Sequence, residues 1–593
     1  MNLLTPWGES LDAEAVLQEY PRPQLVRESY LNLNGTWHYA ITPTAAGAGP
    51  PADWDGSILV PFSPEAPLSG VGRQLQPDET LWYHREITLP DGFRLDTVLL
   101  HFGAVDQECT VHLNGHPVGE HVGGYLPFTL DVTRALLPGR NELVVAVRDQ
   151  SDTGSRSRGK QKLKRGGIWY TAQSGIWQTV WLESVPYGHI ERLTITPRLE
   201  DGCVEVTVHS AGTGEDVTLE VLADGVVVAS ARARVDEAVR IPLGTVREWS
   251  PESPFLYDLH IALGTDRVTS YFGMRSFGVG PDADGYPRLL LNGRPYFHAG
   301  VLDQGYWPDG LYTAPSDAAL AHDIAEMKRL GFTMLRKHIK IEPLRWYHHC
   351  DRLGMLVWQD AVNGGTDYTP WVVTAPAIIR SRLDDRRHRA FAREDAAGRQ
   401  EFRSELRAMV ELLRNVTSIA VWVPFNEGWG QFDALDITRE LRELDSTRAV
   451  DHASGWHDQG GGDLHSLHVY LRAFRVPRKQ DRRVLALTEY GGYSIRTPGH
   501  DFNDREFGYR RHRSTEELER AFVKLHEKQI IPAIPRGLAA TVYTQLSDVE
   551  DELNGLITYD RRVQKLSDAA VRSVTQRLRY PDADRAREGG TTA

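Results

Sequence analysis

Apolar positions recur as short alternating runs through the first part of the chain. They are Thr36–Ile41 (TWHYAI), Leu81–Leu89 (LWYHREITL), Thr97–Phe102 (TVLLHF), Cys109–Leu113 (CTVHL) and Glu142–Val147 (ELVVAV). A period of two sends side chains to opposite faces of a strand. Asn34-Gly35, Asn114-Gly115 and Pro138-Gly139 punctuate the runs. Short strands with such turns predict a sandwich or jelly roll over residues 1–186. A second β segment follows, with strand-like runs at Leu193–Ile195, Val204–Val208, Val217–Leu222 and Leu256–Ala262. Its length suits an immunoglobulin-like sandwich over residues 187–279, without the Cys…Trp…Cys pattern of antibody domains.

The pattern then changes. From about Tyr286, buried-strand runs alternate with helical spacing. Ser316 can cap a helix that puts Leu320, Ile324 and Met327 on one face and stops at Gly331. Leu406, Met409, Val410 and Leu413 form a second such stripe. Strand candidates are Tyr296–Val301, Phe332–Leu335, Leu356–Trp358, Ile419–Phe425, Arg448–Asp451, Leu464–Tyr470, Val484–Leu487 and Ala540–Tyr543. Alternating β and α with eight strands predicts a (β/α)8 TIM barrel over residues 280–593. Residues 378–403, rich in Arg and Asp, read as an exposed loop-and-helix insertion. The polar tail after Tyr580 reads as frayed.

Composition narrows the function. At 593 residues the chain needs several cores. A net charge of −13 with mixed signs argues against nucleic acid as a partner. The one basic run, Arg156–Arg165 (RSRGKQKLKR), reads as a solvated loop. Three well-separated cysteines, Cys109, Cys203 and Cys350, predict neither a disulfide framework nor a zinc site. No metal and no cofactor is expected. With no stretch of about 18 apolar residues and no basic, apolar leader, a soluble cytoplasmic protein without membrane contact is the expectation. A chain trimmed of its leader would read the same. The 15 Trp and 22 Tyr fit either large cores or sugar stacking.

Barrel enzymes place catalytic groups at the C-terminal ends of strands. Two acids lie there. Glu427 ends VWVPFNE after the fourth strand, and Glu489 ends LALTE in the seventh. Singly, each reads as a helix cap or a loop ion pair. Together, on opposite sides of one barrel mouth, they suit glycoside cleavage. One carboxyl must be protonated to release the leaving oxygen, and the other ionised to attack or support the anomeric carbon.

The chain resembles glycoside hydrolase family 2, the family of bacterial β-galactosidases and β-glucuronidases. Leu31–Trp37 (LNLNGTW), Ser174–Trp177 (SGIW) leading to Val180–Leu182, Phe272–Arg275 (FGMR), Leu291–Pro295 (LNGRP) and Cys350–Gly354 (CDRLG) carry the resemblance over almost the whole chain. It implies Glu427 as acid/base, Glu489 as nucleophile, retention of configuration, and a galactose-binding-like first domain. It also implies that Asn426 bonds the sugar 2-hydroxyl, that Arg336 supports the nucleophile, and that Tyr470 lies near it. By position, Asp303, His338, Trp358, Asp360, Asn363, Trp456, His468 and Asn554 are further pocket candidates. Trp456 reads equally as loop packing, and Arg336 with His338 as a charge network below the site.

The sequence also departs from the family. Asp303-Gln304 and Lys337 stand where the usual motifs differ. Asn554 replaces the lysine with which β-glucuronidases pair their substrate's carboxylate, and Glu552 adds negative charge nearby. The expected substrate is therefore a neutral sugar, a β-D-galactoside (pyranoside or furanoside) or a related α-L-arabinoside. The alternatives are a β-glucuronidase-type hydrolase and a non-catalytic carbohydrate-binding protein. A homo-oligomer is left open.

Overall fold

The computed structural model describes residues 3–46, 49–210, 216–377, 382–479 and 481–580. The first sandwich packs a four-stranded sheet on a six-stranded one. Every expected run is a strand: Gly35–Pro43, Glu79–Thr88, Thr97–Phe102, Glu108–Leu113 and Arg140–Arg148. Their inward positions, among them Trp37, Leu81, Tyr83, Phe102, Val111 and Val145, form one core. The second unit sets three strands (Ile190–Arg198, Cys203–Ser210, Val239–Pro242) against four (Asp216–Ala223, Val226–Arg234, Tyr257–Leu263, Asp266–Phe272).

The third unit is a barrel of parallel strands: His298–Asp303, Met334–Lys337, Leu356–Asp360, Ile419–Val423, Ala449–Val450, Leu464–Val469, Val484–Gly491 and Leu538–Thr544. They form one sheet that curls from the fifth strand round to the sixth. Leu302, Met334, Trp358, Val421, Ala486 and Val542 fill its interior. Ser316 caps the helix Asp317–Arg329 by accepting from the Ala319 amide, and Leu320, Ile324 and Met327 are buried as expected.

Three expectations are corrected. Trp358 does not line a pocket. It is fully buried in the barrel interior, where its Nε1 donates to His298 Nδ1 at 2.9 Å. Residues 382–403 are not simply exposed. The helix Ala396–Leu413 begins on an Asp395 cap, and Asp385, Phe391, Arg393 and Phe402 are buried. Positions 378–381 of that insertion, and the tail after Tyr580, lie outside the described residues.

The third correction bears on function. Arg156–Arg165 is not a solvated loop. Ser157, Arg158, Lys160 and Gln161 are buried, because this loop of the first sandwich docks on the barrel's mouth. The Arg158 and Gly159 amides donate to the Asn363 carbonyl at 2.9 and 3.1 Å. Arg156 pairs with Glu401 and Arg165 with Asp551, both at 2.8 Å. Gly159 has φ +62°, and a Cβ there would lie 2.9 Å from the Tyr312 hydroxyl. Basic composition looks the same in a solvated loop and in one whose cations find partners on another domain.

Candidate active site

Glu427 follows the fourth strand in a tight turn. Its φ is +50°, a strained region for a side-chain-bearing residue. The turn is held by the Glu427 amide, which donates to the Ser454 carbonyl at 3.0 Å. A Cβ on the following Gly428 would meet the His457 ring at 2.6 Å, so that glycine permits the close approach. Glu489 lies within the seventh strand, whose side chains are buried almost throughout. One oxygen of each carboxyl and a ring nitrogen of His468 lie within 4.8 Å of one another. That is near the roughly 5–5.5 Å of retaining glycosidases and well short of the roughly 6.5–9.5 Å that inversion needs.

The two carboxyls have different surroundings. Burial pushes the Glu427 carboxyl up to about 8, against the pull of the Lys160 and Arg336 cations, and the negative charge of Glu552 adds to the rise. Its hydrogen-bond partner is His468 Nδ1, at 2.8 Å. Burial holds His468 down to about 4, so the ring is neutral near pH 7. Ser454 Oγ spends its proton on Thr488 Oγ1 at 3.1 Å, so it accepts a hydrogen bond from His468 Nε2–H at 3.2 Å. Nδ1 is then an acceptor, and the protonated Glu427 donates to it.

Glu489 faces fixed donors. Arg336 Nη1 donates to one oxygen at 3.2 Å, and the Tyr470 hydroxyl donates to the other. Arg336, fully buried on the second strand, also holds Asp360 through two bonds of 3.0 Å and donates to Asn426 Oδ1 at 2.8 Å. The Asn426 Nδ2 is left buried without a protein partner among the described residues. His338 Nδ1 meets Asp360 at 2.8 Å. Burial raises the Asp360 carboxyl to about 7 even beside Arg336.

Of the expected pocket residues, Arg336, His338, Asp360, Asn426, His468 and Tyr470 thus converge on the two acids. Trp456 is half-buried and meets His468 edge-on, with 6.2 Å between centroids. Asn554 Nδ2 donates to Glu552 Oε1 at 3.0 Å. Asp303 is occupied elsewhere: it pairs with Lys337 at 2.7 Å in a buried network with Glu342 and Lys340. Asn363 serves chiefly to dock the sandwich loop through its carbonyl.

Comparison with known proteins gives the family. Residues 72–177 match the description "Glycosyl hydrolase 2 galactose-binding domain-like", 188–275 match "Glycosyl hydrolases family 2", and 287–491 match "Glycosyl hydrolases family 2, TIM barrel domain". Together these span more than half of the chain. The protein belongs to glycoside hydrolase family 2. A β-galactosidase of Thermoanaerobacter pseudethanolicus is 26% identical over 299 residues, which is 47% of this chain and 39% of that protein. The first two curated relatives are matched over only 36% and 39% of their own lengths. Among solved structures, a Faecalibacterium prausnitzii β-glucuronidase superimposes with TM-score 0.70 at 21% identity, covering 94% of this chain and 99% of that one. A β-galacturonidase from Eisenbergiella tayi gives 0.68 at 20%, covering 95% and 98%. At these identities the superpositions establish the shared fold.

Within this family-2 scaffold the structure adds residues that sequence reasoning missed. Tyr509 stacks on Tyr470 with centroids 3.8 Å apart, and burial above all holds its hydroxyl protonated, well above the usual tyrosine range. Tyr170 donates to Glu552, and Lys160 lies over the Tyr170 ring at 5.2 Å. Tyr170, seven residues ahead of the SGIW motif's last Trp, sits in a segment that carried a signal; Tyr509, in a polar loop, carried none.

Proposed function

We propose that the protein is a retaining exo-glycosidase that cleaves a neutral glycoside by double displacement. The observation that carries this reading is the pair of carboxyls at retaining distance in opposite surroundings. Glu427, buried and held protonated, protonates the departing oxygen. Glu489, oriented by Arg336 and Tyr470, attacks the anomeric carbon and forms the glycosyl-enzyme. Glu427, now ionised, then takes a proton from water, which displaces Glu489 with a second inversion. The free Asn426 Nδ2 is positioned to donate to the sugar 2-hydroxyl, a contact that strengthens as charge develops on the ring.

The sugar is a β-D-galactoside, as pyranoside or furanoside, or the stereochemically related α-L-arabinoside. Glu552 supports a neutral ring: its charge reaches Glu427, and a substrate carboxylate there would meet repulsion. Chromogenic nitrophenyl glycosides test the reading. Turnover of a neutral galacto- or arabino-configured substrate, with NMR showing first-formed product of retained configuration, is expected. Faster turnover of a glucuronide would replace the neutral sugar with a uronide. Absence of hydrolysis across the set, with sugar binding intact, would leave a carbohydrate-binding protein.

A further inference from the structure

The loop from the first sandwich brings a cation to the barrel's mouth that the catalytic scheme does not use. Lys160 is 6% exposed. Among the described residues its ammonium makes no hydrogen bond and no ion pair. Its neighbours are instead the faces of Tyr170 and Trp429, at 5.2 and 5.7 Å. The other cations nearby are occupied. Arg336 serves Asp360 and Glu489, Lys337 serves Asp303 and Glu342, and Lys340 serves Glu342 and two carbonyls. An ammonium carries three donors, and no protein acceptor among the described residues takes one of them.

The position is also fixed. The Arg158 and Gly159 amides bind the Asn363 carbonyl on one side. On the other, Gln161 Nε2 donates to Asp106 and to the Tyr125 hydroxyl, both at 3.0 Å. The backbone that carries Lys160 is therefore held on the barrel from both sides.

Its counterpart is Glu552. That carboxylate accepts from the Tyr170 hydroxyl and from Asn554 Nδ2. Tyr170 thus carries a cation on its face and an anion on its hydroxyl, yet the two charges form no ion pair with each other. Unpartnered polar atoms of both kinds complete the wall: Trp429 Nε1 as donor and Asn554 Oδ1 as acceptor.

We propose that Lys160 and Glu552 form a clamp for the hydroxyls of a neutral sugar, and that both are specificity-determining residues. The proposal rests on the neutral-glycoside reading above. A hydroxyl both donates and accepts, so one or two neighbouring ring hydroxyls can give a proton to Glu552 and take one from Lys160. A carboxylate could satisfy Lys160 alone and would face Glu552 unpaired. The first sandwich then supplies part of the substrate site itself.

The experiment compares the wild type with Lys160→Met and Glu552→Gln on the best neutral nitrophenyl glycoside and on its set of monodeoxy analogues. Each variant is expected to lose about 10- to 100-fold in kcat/KM on the parent sugar. On the one analogue that lacks the clamped hydroxyl, the loss shrinks to about threefold or less. Lys160→Gln, which keeps a donor, is expected to fall between, and serves if the methionine variant fails to fold. Equal losses on every analogue, or no loss at all, overturn the clamp while leaving the neutral-glycoside reading intact. A wild type that hydrolyses uronides and no neutral glycoside overturns that reading, and the clamp with it.

Discussion

The ends of the fourth and seventh barrel strands hold the same side chain in opposite settings. Glu427 is buried with one neutral partner, the His468 ring, and its carboxyl is pushed up to about 8. Glu489 is as deeply buried but is met by the Arg336 guanidinium and the Tyr470 hydroxyl. Burial alone therefore does not assign a role. What differs is the set of partners each carboxyl meets, one neutral ring against a guanidinium and a hydroxyl. The comparison predicts that removing each acid fails in a different way.

The largest effect belongs to the seventh strand. Glu489→Ala is expected to lower turnover by at least about 10⁴-fold, since no covalent intermediate can form. Azide should restore part of the rate by attacking from the vacated side, giving a glycosyl azide of inverted configuration. Unchanged turnover in a folded Glu489→Ala would end the nucleophile assignment.

Removing the fourth-strand acid should instead depend on the leaving group. Glu427→Ala is expected to lose about 10²–10⁴-fold on alkyl or glycosyl aglycones, where protonation is essential. Dinitrophenyl substrates, which leave without help, should lose far less in the glycosylation step. Azide now enters after the glycosyl-enzyme has formed, so its product retains configuration. If both alanine variants yield the same anomer of the azide, the two roles are misassigned.

A smaller change probes the donors rather than the acid. Tyr470→Phe takes one donor from Glu489 and leaves the tyrosine ring's stack on Tyr509. A hydrogen bond to a charged group is worth about 1.5–3 kcal/mol, so kcat/KM should drop about 10- to 100-fold. A drop below threefold would mean that Arg336 alone orients the nucleophile.

The same contrast explains what was legible in the sequence. Strand ends are local: VWVPFNE and LALTE show a buried run that stops at an acid, and all eight barrel runs are strands. Arg336, Asp360, His468 and Tyr470 follow because each sits on a strand or directly beyond one. The sandwich loop was opaque. Arg156–Arg165 reads as solvated because nothing local shows that Asn363 and Asp551 wait on another domain. Asp303 misleads for a related reason. It stands at a strand end like Asp360, but Lys337, its register partner on the neighbouring strand, claims it. Periodicity reports which face is buried; it does not report which partner a buried charge has found.

The last expected effect is on stability rather than turnover, and it tests the fourth-strand environment without any substrate. An unfolded glutamate titrates near 4.3, while folded Glu427 holds its proton up to about 8. Below about pH 4 both states are protonated, and the group's contribution to stability is fully present. As pH rises toward 8 the unfolded chain releases a proton that the folded one keeps, so this contribution is progressively lost. Glu427→Gln has no proton to lose and mimics the protonated carboxyl. Its melting temperature relative to wild type should therefore climb between pH 5 and pH 9, by an amount on the order of a few kcal/mol in free energy. Other buried acids with raised values, such as Glu65 near 8 and Glu405 near 7, titrate in both proteins and cancel in the difference. The activity limb should agree: wild-type kcat/KM falls above about pH 8 as the acid form of Glu427 is lost. A melting difference that stays flat from pH 5 to pH 9 would show that Glu427 is ionised in the free enzyme, and the contrast with Glu489 would then have to arise only when substrate closes the pocket.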